Sequence, residues 1–226
     1  MTNPFEPSAP LIDIEVRVLG ALIEKEHTTP DSYPLSLNAL TAACNQTSNR
    51  EPVMTLEEHV VSAAVAELRK RSLVRAIIHS GGRVTKYRQL MDETMGLVRR
   101  QLAVLSVLML RGPQTVGELR TRTQRQHDFA DLEEVESTLE GLIDRQPPLV
   151  ARLPRRTGQK EQRFAHLLAG EPSAEVLEAA EGREEPAVRG TPVAERVAAL
   201  EEAVSALREE VAALRGELEG FRRQFE

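Results

Sequence analysis

The same succession of signals occurs twice in this chain, and few folds satisfy it. Each copy gives an amphipathic helix, a proline-marked break, a short helix, a polar loop, a longer amphipathic helix and two β-prone runs. In the first copy, Leu11 to Lys25 puts Ile12, Val16, Leu19, Leu22 and Ile23 on one helical face. Pro30 cannot continue that helix and biases Thr29 away from the helical region. Ser36 is placed to cap a short helix carrying Leu37, Leu40, Ala43 and Cys44. The polar stretch from Asn45 to Pro52 reads as a loop. Thr55, with Glu58 three residues on, matches a capping box and predicts a helix start there, with Val61, Val65 and Leu68 facing inward. Its basic end, Arg69-Lys70-Arg71, suits the negative pole of a helix. Leu73 to His79 and Arg83 to Leu90, joined by Ser80-Gly81-Gly82, predict a hairpin.

The second copy shares little identity with the first but keeps its order. Leu97 to Leu110 reads as a helix broken by Gly112-Pro113, and Thr115 caps a short helix with Val116 and Leu119. Asp131-Leu-Glu-Glu134 starts a third helix in the manner of Thr55-Leu-Glu-Glu58. Strands are expected at Leu149 to Leu153 and Gln162 to Leu167, around a tip from Pro154 to Lys160. Three helices followed by a hairpin, twice over, predict a mainly α, α+β chain of two tandem winged-helix domains. The expected boundaries are a flexible leader over 1–10, domain one over 11–91 and domain two over 92–168.

Beyond these lies an acidic linker, 169–192, rich in Glu, Ala, Gly and Pro and short of apolar residues. A heptad then begins in the segment 193–226. Val197, Val204, Val211 and Leu218 fall at one apolar position, and Leu200, Leu207, Leu214 and Phe221 at the other. Valine at a with leucine at d favours a parallel two-stranded coiled coil. Across it, Arg196 would face Glu201, Glu210 Arg215 and Glu217 Arg222, all opposite in sign. Gly216 and Gly220 weaken the helix. The expected partner through this segment is a second copy of the chain.

Charge is unevenly spread. Residues 1–90 carry 10 basic and 10 acidic side chains, residues 91–170 carry 12 and 11, and residues 171–226 carry 7 and 14. The net charge of -6 therefore belongs to the tail, and any basic surface on the body has to be local. A single cysteine, Cys44, rules out an intramolecular disulfide and fits a reducing compartment. No signal peptide is read in the first residues. The longest apolar run, Leu102 to Leu110, is about half of the roughly 20 residues a membrane span needs, so the expectation is a soluble, cytoplasmic protein without a membrane partner.

In a winged helix the third helix enters the major groove and the hairpin tip touches the backbone. The residues expected to read bases are Asn45, Gln46, Asn49 and Arg50, because amides pair with adenine and arginine with guanine. Arg83, Lys86 and Arg88 of the first wing, and Arg155, Arg156 and Lys160 of the second, are placed to neutralise phosphates. Arg120, Arg122 and Arg125 form a further basic cluster. Against these stand the acidic helix entrances, Glu57-Glu58 and Asp131, Glu133, Glu134. No catalytic signature is visible: the five histidines lack metal-ligand spacing, Cys44 reads as a core residue, Gly81-Gly82 is too short for a phosphate loop, and no cofactor motif is present.

The stretches LGALIEKEHTTPDSYPLSLNALTAACNQTSNREPVM, GGRVTKY, LMLRGPQTVGELRTRT and LEEVESTLEGL resemble the YceH-like family of bacterial proteins. The resemblance covers roughly Leu11 to Leu168 and implies two winged-helix domains in a bacterial cytoplasm, without implying an activity. The expected function is a non-enzymatic, DNA-binding regulator of duplex DNA, dimerised by its coiled coil. The alternative is a protein-interaction adaptor that uses the winged helices for docking, and the near-neutral body, acidic entrances and acidic tail favour it.

Overall fold

The computed structural model describes residues 10–78, 84–154 and 161–172. All of them fall in one compact unit of the chain, Met1–Ala180. The fold is mixed α and β, with two small antiparallel three-stranded sheets. Its first half runs α1 (Asp13–Thr28), β1 (Leu35–Ser36), α2 (Leu37–Cys44), α3 (Glu58–Lys70), β2 (Val74–Ile77) and β3 (Lys86–Gln89). A short helix, α4 (Met91–Met95), leads to the second half. There α5 (Arg99–Arg111), β4 (Gln114–Thr115), α6 (Val116–Thr123), α7 (Leu132–Ile143), β5 (Val150–Arg152) and β6 (Arg163–His166) repeat the order. The sheets repeat too, as β1-β3-β2 and β4-β6-β5.

Local chemistry explains most boundaries. Glu15 reaches back to the Ile12 N–H (3.1 Å) at the start of α1, and Pro30 follows its end. Ser36 accepts from Ala39 N–H (3.3 Å) to cap α2. Thr115 and Glu118 exchange a reciprocal capping pair on α6 (3.2 and 2.8 Å), and Asp131 accepts from Glu134 N–H (2.8 Å) on α7. The Thr55 capping box is not formed: α3 begins at Glu58, with Glu57 at its cap and no side-chain hydrogen bond there. The reason is Asn45, whose amide accepts from Leu56 N–H and donates to Leu56 C=O, both at 2.8 Å. That pairing holds the chain before α3 extended through the point where Thr55 would have opened a helix.

The expected hairpins pair antiparallel, Val74 opposite Gln89 and Val150 opposite His166, with strands shorter than the β-prone runs. Their tips, 79–83 and 155–160, lie outside the described residues, as do 1–9 of the leader, most of the linker and the whole heptad segment from Val197 to Phe221. The third strand of each sheet comes from two residues just before α2 and α6, too few to show a period-2 pattern.

One hydrophobic core runs through both halves, from Leu11 to Phe164. At its centre α1 packs on α5, and α1 is buried without interruption from Glu15 to Glu24. Gly20 permits the approach: a Cβ there would lie 3.0 Å from Leu110 Cγ and 3.1 Å from Met109 Cβ. The apolar run Leu102 to Leu110 is the buried stretch of α5. A helix surrounded by neighbours must bury its polar residues as well, and α1 carries Glu15, Arg17 and Glu24 into the interior.

Candidate nucleic-acid interface

The loop between α2 and α3 is held from inside. Arg50 is only 5 % exposed. Its Nε donates to Ala43 C=O (3.0 Å), one terminal nitrogen to Glu24 (3.1 Å) and Asn49 C=O (2.9 Å), and the other to Glu24 (2.6 Å) and Gln46 Oε1 (3.1 Å). A guanidinium has five N–H donors, and all five are used. Arg50 is therefore not presented to a base; burial beside the Glu24 carboxylate makes it the tie between α1 and the loop. The other three expected base readers are also engaged. Asn45 is spent on Leu56, Gln46 accepts from Arg50, and Asn49, in the left-handed region (φ 58), accepts from Arg111 of α5 (2.8 Å).

Arg17 adds a second internal tie, donating to Cys44 C=O (3.1 Å) and Pro52 C=O (2.5 Å). Its pKa is lowered, first by burial and then by the nearby Arg50 charge. Glu51 N–H donates to Leu110 C=O (2.7 Å), so α5 also braces the loop. Sequence reasoning missed Arg17, Glu24 and Arg111. The signal available was that Arg17 and Glu24 interrupt an otherwise apolar run, VRVLGALIE, as buried ions do when they have partners.

On α3, the entrance carries Glu57 and Glu58, both exposed, with His59 3.1 Å from Glu57. Lys70 is paired with Glu67 (2.6 Å). On β3, Arg88 lies 3.0 Å from Glu93 and 3.8 Å from Asp92, so its charge is matched within the chain. Lys86 sits half-buried on β3, opposite Ile77 and Ser36. Arg83, Arg155, Arg156 and Lys160 lie outside the described residues.

In the second half the expected basic cluster divides. Arg120 donates to Ala130 C=O (2.7 Å) and fastens the loop before α7. Arg122 bonds Gln114 and lies 3.5 Å from Glu118, which also receives Arg163 (2.7 Å). Arg120 and Arg125 are both exposed and without an ion pair among the described residues, and Arg125 alone of the three makes no side-chain hydrogen bond there either. The outward face of α7 is acidic, with Glu133, Glu136 and the following Asp144 exposed, and the helix contains neither Lys nor Arg. Glu140, half-buried on the same helix, pairs with Arg152.

Cys44 is fully buried, and burial pushes its thiol up to about 12, the signature of a packing residue. Burial raises the Tyr33 phenol and lowers His27, the latter helped by Arg99. Among the described residues no group of three or more His, Cys, Asp or Glu side chains could hold a metal ion, and no described helix is long and apolar enough to cross a membrane.

Residues 11–159 match the family described as "Protein of unknown function, DUF480". The chain belongs to the DUF480 (UPF0502) family. A UPF0502 protein of Geobacter sulfurreducens is 53% identical over 216 residues, 96% of this chain and 98% of the relative. Another, from Geobacter metallireducens, is 55% identical over 212 residues, 94% of this chain and 96% of its own. One from Solibacter usitatus is 55% identical over 189 residues, 83% and 87% of the two chains. The resemblance read between Leu11 and Leu168 is thus borne out as membership of a bacterial family. With 96% of the chain aligned to the Geobacter sulfurreducens protein, the alignment extends over most of residues 169–226.

Proposed function

We propose that this UPF0502 protein is a non-enzymatic interaction adaptor built from two winged helices. The order helix, strand, helix, helix, strand, strand, with the first strand beside the last, supports reading each half as a winged helix. The observation that carries the adaptor reading is α7. In a winged helix it occupies the position that enters the major groove, yet its outward face presents carboxylates and it has no cation. Glu57 and Glu58 repeat the sign at the entrance of α3. Phosphates and carboxylates repel, and the loop cation that would offset this, Arg50, is bound to Glu24.

DNA binding is the second reading. It draws on Arg69 and Lys70 at the end of α3, on Lys86 and Arg125, and on the wing-tip cations Arg83, Arg155, Arg156 and Lys160. In either case the heptad from Val197 to Phe221 fits a parallel dimer that would raise the effective concentration of paired sites.

A photo-crosslinking amino acid placed at Glu136 on α7 and at Ala63 on the exposed face of α3 separates the two. Irradiation in bacterial cells is expected to join the chain to discrete protein bands. Adducts that nuclease removes and that contain no second protein would overturn the adaptor reading.

A further inference from the structure

A strand edge in the first half is open. In the order β1-β3-β2, strand β2, like the two-residue β1 at the other edge, has a neighbour on one side only among the described residues. Leu90 N–H donates to Leu73 C=O at 2.8 Å, and these two residues lie opposite each other in the register that sets Val74 against Gln89. Antiparallel pairs alternate between bonded and non-bonded, so the N–H and C=O groups of Val74 and Ala76 point away from β3. Gln89 confirms the parity: opposite Val74, it sends its N–H away from β2 to the hydroxyl of Tyr33, just before β1 (2.7 Å).

An open cleft of about 730 Å³ lies along this edge, and Val74, Arg75 and Ala76 form its strand side. Across it stand Ala66, Arg69 and Lys70 of the last turns of α3, and Leu90, at the cap of α4, contributes with Glu93 and Thr94 of that helix. The floor is apolar and the walls are cationic. Two of these three cations are already paired, Arg75 with Glu93 (3.2 Å) and Lys70 with Glu67 outside the cleft (2.6 Å), and Arg69 has no ion pair among the described residues, so a ligand carboxylate meets Arg69 first and shares the other two.

Three features together select the occupant. Outward N–H and C=O groups need a partner that both donates and accepts, which a peptide backbone does and a phosphate backbone does not. Cations on both sides of the edge call for carboxylates on both faces of the added strand. A second copy pairing β2 on β2 would set Arg75, Arg69 and Lys70 against their own kind, the arrangement by which charged edges resist self-association.

We propose that the β2 edge binds an extended acidic peptide of a partner protein as a fourth strand. Main-chain hydrogen bonds to Val74 and Ala76 supply the pairing, small apolar side chains meet Ala66 and Leu90, and carboxylates meet Arg69, Lys70 and Arg75. This rests on the adaptor reading and names the partner chemistry of one of its surfaces.

The test is fluorescence anisotropy of the full chain with a labelled peptide of about ten residues that repeats Glu-Glu-Val-Val, the length of a long strand, so that each face carries both carboxylates and apolar side chains. Binding is expected to weaken as salt rises, and to fall by about tenfold or more with Arg75→Glu or with Ala76→Pro. Proline there removes an outward N–H that β3 does not use, an edge substitution sheets tolerate. A peptide N-methylated at alternate residues is expected to lose binding by a similar factor. Equal binding of the methylated peptide, or binding indifferent to Ala76→Pro in a variant of unchanged thermal stability, overturns strand addition. Displacement by duplex DNA, β2-dependent self-association of the chain, or far tighter binding of the chain's own segment 171–180 each assigns the edge to another occupant and also overturns it. If the glutamate-valine peptide fails to bind while crosslinking at Glu136 still captures protein, this proposal falls and the adaptor reading stands. If both fail, the reading itself falls.

Discussion

Glu24 of α1 and Arg50 of the α2–α3 loop meet in the interior through two hydrogen bonds, 3.1 and 2.6 Å long. The guanidinium side chain of this pair is fully buried and the carboxylate 11% exposed, so removing either partner strands a charge in the core. Arg50→Met or Glu24→Gln alone is expected to lower stability by about 3–5 kcal/mol. The double variant is expected to lose clearly less than the sum. Urea denaturation of the four proteins measures both, and additive losses would show that the pair is not coupled.

Asn45 takes the place of a strand neighbour for Leu56. Asn45→Asp keeps the acceptor but replaces the donor with an oxygen facing Leu56 C=O, so it is expected to cost at least as much as Asn45→Ala, about 1–3 kcal/mol. Amide hydrogen exchange at Leu56 is expected to speed up in the alanine variant, while that of α7 stays unchanged.

Gly20 sits where α1 meets α5. Gly20→Val places methyl groups where Leu110 and Met109 already lie, and overpacking of this kind costs about 1–3 kcal/mol. The thermal midpoint is expected to fall even though glycine is the poorer helix former. A rise would mean that the helices separate without penalty.

The elements were legible because their signals are local: the apolar spacing of α1 and α5, the Ser36, Thr115 and Asp131 caps, and the hairpin runs around glycine. The Thr55 start was misread because a long-range partner, Asn45, outcompetes a local capping box. The short strands β1 and β4 exist only through pairing with β3 and β6, which two residues cannot announce. The site was less legible than the fold. Arg50 in a polar loop looks the same whether it faces solvent or Glu24, since its partner lies 26 residues away.

His166 ends β6 with its Nδ1 buried and without a hydrogen-bond partner. Burial depresses its pKa to about 4, against a small opposing effect of Asp13. The unfolded chain, with a histidine pKa near 6.5, binds the proton more readily than the native one between those values. Stability is therefore complete above about pH 6.5 and is lost as pH falls toward 4, by up to about 3 kcal/mol. His166→Gln is expected to flatten that part of the stability profile; an unchanged slope would assign it to other groups.

The most direct measurement is fluorescence anisotropy of the full chain with random duplex DNA across a salt series. No association is expected near physiological salt and only weak binding at low salt, unaffected by Arg50→Met in chains that remain folded. Tight association that weakens steeply with salt, and is lost with Arg69→Glu or Lys86→Glu, would show that phosphates reach the α3 face despite its acidic entrance. That result would contradict the adaptor account.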